Sequence, residues 1–165
     1  MTTARTSAQV VDLLRDGPCA EMLLDTHTKL GDATVSVDPV RILPFMSHVR
    51  EAAGLQFEML VDLCAVDYLG QTPRFEVVYH LYSLALNQRL RVKARVDEDP
   101  CEIDSVVALW PSAGWMEREV FDLYGVSFRN HGDLRRILLY DEFEGHPLRK
   151  DYPKQRRQPL IGPRN

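Results

Sequence analysis

Apolar and polar residues alternate between positions 57 and 96 in a pattern that predicts three β-strands. The apolar positions are Phe57, Met59, Val61, Leu63 and Ala65 in the first strand, Phe75, Val77, Tyr79 and Leu81 in the second, and Leu90, Val92, Ala94 and Val96 in the third. Turn-forming residues separate the three runs at 70–73 and around Asn87. Such short connections indicate an antiparallel meander.

The third of these strands carries a row of basic residues on its polar side, namely Arg89, Arg91, Lys93 and Arg95. A row of this kind is typical of a solvated outer face or of a protected edge strand. A phosphate-binding stripe is the alternative interpretation. It would make the chain a nucleic-acid-binding module whose binding depends steeply on salt.

Helical periodicity and turn residues predict the other elements up to residue 124. These are a helix over 7–14, a strand over 33–37, a helix over 39–53, a short helix over 104–110 and a helix over 113–124. Asp38 is placed to cap the 39–53 helix, because its side chain can accept a backbone hydrogen bond and Pro39 suits the first helical position. Gly54 supplies a left-handed stop. Pro44 predicts either a kink or a later helix start near Leu43.

No helical or strand period continues beyond Gly125, and four of the ten prolines fall in the last nineteen residues. This composition predicts an extended arm. The predicted fold class is therefore α+β, with a small, mainly antiparallel sheet, helices packed on one of its faces and an extended C-terminal arm. We expect a globular domain over 1–128, which includes the 113–124 helix, and a partner-binding turn and arm over 129–165.

Composition limits the classes of protein that the chain can belong to. No run of about 18 apolar residues occurs, and the N-terminal region lacks the apolar core of a signal peptide, so we expect the chain to stay on the cytosolic or matrix side of a membrane. Cys19, Cys64 and Cys101 form no CxxC pair and have no histidine at metal-ligand spacing. We therefore expect reduced thiols and no redox centre.

The net charge of −4 conceals an uneven distribution. Residues 129–165 carry nine Lys and Arg against five Asp and Glu, whereas residues 1–128 carry eleven against nineteen. A basic segment on an acidic body is typical of a surface that meets an acidic or polar partner. The acidic pI of about 5.7 weighs against a nucleic-acid partner.

The predicted 113–124 helix has one broad apolar face with a carboxylate on it. Its apolar residues are Met116, Val120, Phe121, Leu123 and Tyr124, and Glu117 falls among them. Arg118 and Asp122 are predicted to lie on the opposite face as an i,i+4 pair, with Glu119 beside them. Glu117 therefore needs a partner, because burying a charge without one is costly.

Arginines just after the helix are the candidates for that partner. Either Arg135 or Arg136, which follow Asp133, could reach Glu117 with a bidentate contact and form an internal salt bridge. The alternative is an acid–base or proton-relay role for Glu117 with His131. With Asp133, these residues would then serve a stand-alone enzyme.

His131 and His146 could also ligate a metal, but no third ligand stands at a recognisable spacing. We interpret them as hydrogen-bonding or interface residues. The arm carries further anchor side chains of the type that partner-binding segments use, namely Phe143, Leu148, Arg149, Lys150 and Tyr152.

Residues spread over a stretch of nearly forty positions closely resemble the signature of the 30 kDa (C-type) component of NADH:quinone oxidoreductase, respiratory complex I. The matching residues are Glu117-Arg118-Glu119, Asp122-Leu123-Tyr124-Gly125, Phe128, His131, Asp133-Leu134-Arg135-Arg136-Ile137-Leu138 and Phe143-Glu144-Gly145-His146-Pro147-Leu148-Arg149-Lys150-Asp151-Tyr152-Pro153. The strand around Val61-Asp62-Leu63 and Val66-Asp67-Tyr68 agrees more loosely. Gly132 and Tyr140 depart from the family, which often has proline at both positions, and they loosen the turn without removing a charge.

The resemblance implies a peripheral-arm subunit that binds no cofactor itself and braces the quinone-reducing module of a proton-translocating complex. FMN, iron–sulfur clusters and quinone would belong to its partners, which are a large quinone-site subunit of the D type and iron–sulfur subunits of the B and I types. Location on the cytoplasmic side of a bacterial membrane would follow. The residues implied in structure and interface are Glu117, Arg118, Glu119, Asp122, Tyr124, His131, Asp133, Arg135, Arg136, Phe143, His146, Arg149, Lys150 and Tyr152.

Related complexes contain similar subunits and leave an alternative open. Membrane-bound hydrogenases, formate hydrogenlyases and ferredoxin- or F420-dependent quinone reductases would use an equivalent chain, because the electron donor docks elsewhere. The resemblance implies no catalytic, cofactor-binding or metal-binding residue in this chain.

Overall fold

The computed structural model of the chain describes residues 5–155 and Gln158. Its helices are α1 (Ser7–Arg15), α2 (Ile42–Glu51) and α3 (Ala113–Tyr124). Its strands are β1 (Leu23–His27), β2 (Ala33–Val37), β3 (Met59–Asp67), β4 (Phe75–Ser83), β5 (Gln88–Val96), β6 (Glu102–Asp104) and β7 (Ser127–Arg129). No helix in the described ranges has the length and apolar character needed to cross a bilayer.

Five of the strands form one sheet in the order β1-β2-β5-β4-β3, and β6 pairs with β7 in a second, parallel sheet. Within the large sheet β2 and β5 are parallel, and the other three neighbouring pairs are antiparallel. The predicted β3-β4-β5 meander and the α+β class with a mainly antiparallel sheet are therefore confirmed.

One face of the large sheet and the helices enclose the core. The inward residues of β5 are at most 2% exposed, and they belong to one apolar cluster with Leu14 of α1 and Phe45 of α2. Each buried Leu, Val or Phe side chain in this cluster contributes roughly 1.5–3 kcal/mol when it leaves water. The periodic pattern of β5 predicted this inward set correctly.

The basic row of β5 lies on the outer face of the sheet, but the edge-strand interpretation is wrong because β5 is the central strand. Arg91 pairs with Asp32 at 3.1 Å, and Lys93 and Arg95 pair with Glu76 of β4 at 3.0 and 3.3 Å. Opposite charges on neighbouring strands stabilise a sheet modestly. Three of the four basic side chains are thus neutralised within the face itself.

The burial of β3 does not follow its alternating apolar positions in the first half of the strand. Met59 and Val61 are 45% and 51% exposed, whereas Leu60 is buried. The strand register shifts between Leu60, which pairs with Leu81, and Asp62, which pairs with His80, so Val61 is the additional residue of a β-bulge. A bulge reverses the faces on one side of it, and the alternation of residue types does not reveal that.

The start of α2 follows the later of the two predicted positions. Asp38 accepts a hydrogen bond from the Val40 amide at 3.0 Å within a short 3-10 turn, and the α-helix begins at Ile42. Pro44 is the third residue of α2, where an amide would have no partner in the helix. Gly54 adopts a φ of +86°, as expected for a left-handed residue after a helix.

The helix predicted over 104–110 does not form. Asp104 ends β6, and residues 105–112 make turns. The side chain of Ser105 and the amide of Val106 point to a carboxylate of α3 instead of continuing a helix. The short strands β1, β6 and β7 were not predicted, because three to five residues are too few to establish a period.

Candidate functional site

Glu117 is fully buried in α3, as the helical pattern predicted. Its two carboxylate oxygens accept hydrogen bonds from Ser105 Oγ at 2.6 Å and from the Val106 amide at 2.8 Å. The predicted contact with Arg135 or Arg136 is therefore wrong. Burial raises the pKa of Glu117, and these two hydrogen bonds oppose the rise.

His131 lies beside this carboxylate without forming a close ion pair. Its Nε2 is 4.0 Å from Glu117 and 3.1 Å from the Gly114 carbonyl oxygen. Because Nδ1 accepts a hydrogen bond from the Asp133 amide at 3.1 Å, the proton of the neutral ring is on Nε2 and is donated to Gly114. The ring thus joins the turn after β7 to the start of α3.

Asp122 is fully buried and pairs with Arg136, so the predicted i,i+4 pair with Arg118 is wrong. One of its carboxylate oxygens accepts the amides of Ile137, Leu138 and Leu139 at 2.9–3.0 Å, and the other lies 2.6 Å from Arg136 Nη1. Burial alone would raise the pKa of Asp122, but the three amides and the guanidinium hold it below its ordinary value.

Arg118 of α3 also contacts the loop that follows Asp133, through the backbone of that loop. Its guanidinium donates to the carbonyl oxygens of Arg135 and Arg136 at 3.1 and 2.8 Å, and it lies 5.5 Å from the Trp115 ring. Arg135 itself pairs with Asp133 at 3.0 Å, and both side chains are more than 60% exposed. Glu119 is exposed. Of the two candidate arginines, only Arg136 therefore anchors the loop to α3, and it does so through Asp122.

The described part of the predicted arm lies against the end of α3 and caps it. The last carbonyls of a helix have no partner within it. Here the Asp122 carbonyl is 2.9 Å from His146 Nδ1, the Leu123 carbonyl accepts the Leu148 amide at 3.1 Å, and the Tyr124 carbonyl accepts a hydrogen bond from Arg149. His146 and His131 thus both take part in hydrogen bonds.

A buried arginine that the sequence analysis did not single out fastens the arm to the sheet. Arg74 makes a bidentate contact with Asp67 at 2.9 Å and further contacts with Asp151 at 2.7 and 3.0 Å and with Glu98 at 2.6 Å. Asp67 also accepts the Lys150 amide at 2.8 Å. The bond to Arg74 lowers the pKa of both Asp67 and Asp151.

Two aromatic side chains of the arm pack against each other and against Arg136. Phe143 stacks on Tyr152 with ring centroids 6.1 Å apart, and Arg136 lies 5.8 Å from the Phe143 ring. Arg136 also donates to the carbonyl oxygens of Phe143 and Gly145 at 2.9 and 3.1 Å. The side chain of Arg136 therefore organises both the loop at 137–139 and the turn at 143–145.

Side chains suited to ligating a metal do not cluster in the described part of the chain: no three His, Cys, Asp or Glu residues there are placed to hold an ion. The hydrogen-bonded residues join α3, its following loop and the arm into one unit. Such an arrangement can present a rigid surface to another protein.

Known proteins include several that are similar to this chain. The chain matches the family described as the respiratory-chain NADH dehydrogenase, 30 Kd subunit, over residues 35–158. It is 51% identical to the NADH-quinone oxidoreductase C subunit of Citrifermentans bemidjiense, with 82% of this chain and 83% of that protein covered. It is 50% identical to the protein of the same name from Geobacter sulfurreducens, with the same coverage.

Solved structures share the fold. A trypsin-resistant fragment of Nqo5 is 31% identical, with a TM-score of 0.66, and the match covers 77% of this chain and 98% of the fragment. The membrane-bound sulfane sulfur reductase, an archaeal respiratory membrane complex, contains a chain that is 24% identical, with a TM-score of 0.75 and coverage of 90% and 85%, and this likeness concerns the fold alone. The chain belongs to the family of the 30 kDa subunit of the respiratory-chain NADH dehydrogenase, whose members include the NADH-quinone oxidoreductase C subunits.

Proposed function

We propose that this chain is a non-redox subunit in the peripheral arm of a proton-translocating NADH:quinone oxidoreductase, where it braces the quinone-reducing module. The observation that carries the proposal is the 51% identity to an NADH-quinone oxidoreductase C subunit over 82% of the chain. The complex would pass electrons from NADH through FMN and iron–sulfur centres to quinone, on the cytoplasmic side of a bacterial membrane.

The partners in this proposal are the large quinone-site subunit and the iron–sulfur subunits of the complex. The contacts of the arm support a bracing role, because α3, the 135–139 loop and residues 146–151 are held together by buried charged groups. A surface that is ordered before binding loses less entropy on association. Cofactors and catalytic residues would then reside in the partners.

Co-purification of the tagged full-length chain from membranes of its host tests the proposal. We expect mass spectrometry to find a flavin-binding NADH module, iron–sulfur subunits and a large quinone-site subunit. A nickel-ligating large subunit without an NADH module would instead identify one of the related hydrogenase complexes. Recovery of the chain without any respiratory subunit would refute the assignment.

The role of the arm is tested with charge reversal at two exposed lysines. The Lys150 side chain is exposed while its amide bonds Asp67, and Lys154 is exposed as well, so Glu at both positions should leave the fold intact. We expect less assembled complex from this variant than from wild type. Lys29→Glu combined with Arg41→Glu, two exposed positions outside the arm, is the control matched in charge. Equal assembly of both variants would exclude the arm as the docking element.

A further inference from the structure

The outer face of the large sheet contains a groove of about 520 Å³. It lies where β3 and β5 begin and β4 ends. The lining residues include Met59, Val61, Asp62, His80, Tyr82 and Arg89. The β-bulge in β3 produces the apolar part, because it turns both Met59 and Val61 outward. Bulges that re-aim side chains are typical of functional sites.

Arg89 differs from the rest of the basic row on β5. The other three side chains have carboxylate partners on the sheet or next to it. Arg89 is exposed and lies 5.8 Å from the Tyr82 ring, and no carboxylate in residues 5–155 forms an ion pair with it. Asp32 and Arg91, which pair with each other at 3.1 Å, line the same groove. The groove therefore has one cation on its β5 rim, Arg89, that forms no direct ion pair within the described residues.

The opposite rim carries the opposite charge. Asp62 of β3 is exposed and pairs with His80 of β4 in the strand register. It takes part in none of the ion pairs within the described ranges. Since β4 lies between β3 and β5, the two rims are separated by two strand spacings, about 10 Å. The apolar surface of Met59 and Val61 lies at the Asp62 side of this separation.

We propose that the groove docks a segment of a partner subunit that places a carboxylate on Arg89, an apolar side chain on Met59 and Val61, and a cationic group on Asp62. Charge complementarity fixes the direction in which the segment lies across the strands. An apolar anchor in a concave site, with polar contacts at the rim, is the usual composition of a specific interface. The inference rests on the proposed function, because it requires a partner in the complex, and it adds a surface built from residues outside the arm.

Photo-crosslinking in the assembled complex tests which surface is covered. The full-length chain with p-benzoylphenylalanine in place of Val61 is irradiated within purified membranes. We expect a crosslink to one subunit, in a peptide with a basic residue next to an apolar one and an acidic residue farther along the segment. The same reagent at Leu24, which is 67% exposed on β1 at the other edge of the sheet, is the control. A Val61 probe that captures no subunit would overturn the proposal.

Charge variants test the two rims in the same complex. We expect Arg89→Glu to reduce retention of the chain after a salt wash by on the order of tenfold, whereas Arg41→Glu, an exposed position on the 3-10 turn before α2, should have no effect. The double variant Arg89→Glu with Asp62→Lys keeps the net charge and should be retained less than either single variant.

Two failures are distinguishable. If wild type brings respiratory subunits with it but Arg89→Glu is retained as well as Arg41→Glu, the groove is not a docking site and the proposed function stands. If wild type itself brings none, the proposed function fails. Unfolding midpoints equal to that of wild type ensure that the variants report on docking, because both side chains are exposed.

Discussion

The Asp122 carboxylate lies 2.6 Å from the Arg136 guanidinium and also accepts the amides of three consecutive residues, 137–139. Four donors around one buried carboxylate make a local anion site that is filled by the protein's own side chain. The helix α3 thus determines the path of the loop that follows it. Arg136 also donates hydrogen bonds to the carbonyl oxygens of Phe143 and Gly145. The same arginine therefore fixes the position of the turn at 143–145.

Arg136→Ala should destabilise the chain by about 3 kcal/mol, because it leaves the Asp122 charge buried without its guanidinium. Arg135→Ala should cost less than about 1 kcal/mol, since its pair with Asp133 is exposed. Urea unfolding of the two variants, followed by circular dichroism, measures both free energies. Equal losses from the two substitutions would contradict the assignment of Arg136 as the anchor.

Arg74→Met should destabilise the chain by about 3 kcal/mol, because Asp67 would remain buried without a cation. It should also release the arm, which hydrogen exchange at the Lys150 amide would detect as a loss of protection. Asp151→Asn is the matched control. Its side chain is half exposed, so it should cost far less, and protection of the Lys150 amide by Asp67 should largely persist.

Glu117 gives the stability of the chain a particular dependence on pH. Its pKa is raised on folding, so the folded state holds the proton to a higher pH than the unfolded state. The stabilisation is complete below the ordinary value of about 4.5 and is lost as the pH rises through the raised pKa.

The Glu117→Gln variant should lack this dependence. The free energy of unfolding of wild type should fall relative to that of Glu117→Gln as the pH rises above about 4.5, by at most about 1.4 kcal/mol per pH unit. Urea unfolding of both proteins between pH 4 and pH 8 provides the comparison. A difference that stays constant across this range would show that the pKa of Glu117 is not raised.

Periodicity predicted the large elements well, because their burial follows their spacing. The inward residues of β5 and the bounds of α3 are cases in which one face of an element meets the core. Periodicity could not reveal the bulge at Val61, because one inserted residue leaves the residue types unchanged while it reverses their faces.

The sequence indicated which residues belong to the site better than it indicated which residue each of them contacts. Glu117 was correctly placed in the core, but its partners come from residues 105 and 106, a segment whose composition favoured a helix. Asp122 was predicted to pair with Arg118 because a helical wheel treats the helix alone and omits the loop that covers it. Little in the sequence indicated that Arg74 is buried and paired, because it is a single arginine that follows a turn, seven residues after Asp67.

Removal of residues 129–165 should do more than detach an arm. It would delete Arg136 and the three amides around Asp122, the groups that cap the last carbonyls of α3, and the partner of Arg74 at Asp151. Each buried group left without a partner costs about 1–3 kcal/mol, and charged groups cost more. We therefore expect the truncated chain to be unfolded or to lack fixed packing, as judged by near-ultraviolet circular dichroism.

A chain that ends after Pro153 is the matched control for this truncation, because it retains all of these contacts. It should unfold within about 1 kcal/mol of wild type, since it loses only exposed residues and Gln158 among the described ones. The contrast between the two truncations separates the hydrogen-bonded part of the arm from the residues that follow it. A folded, cooperatively unfolding 1–128 chain would mean that the arm contributes little to the stability of the body.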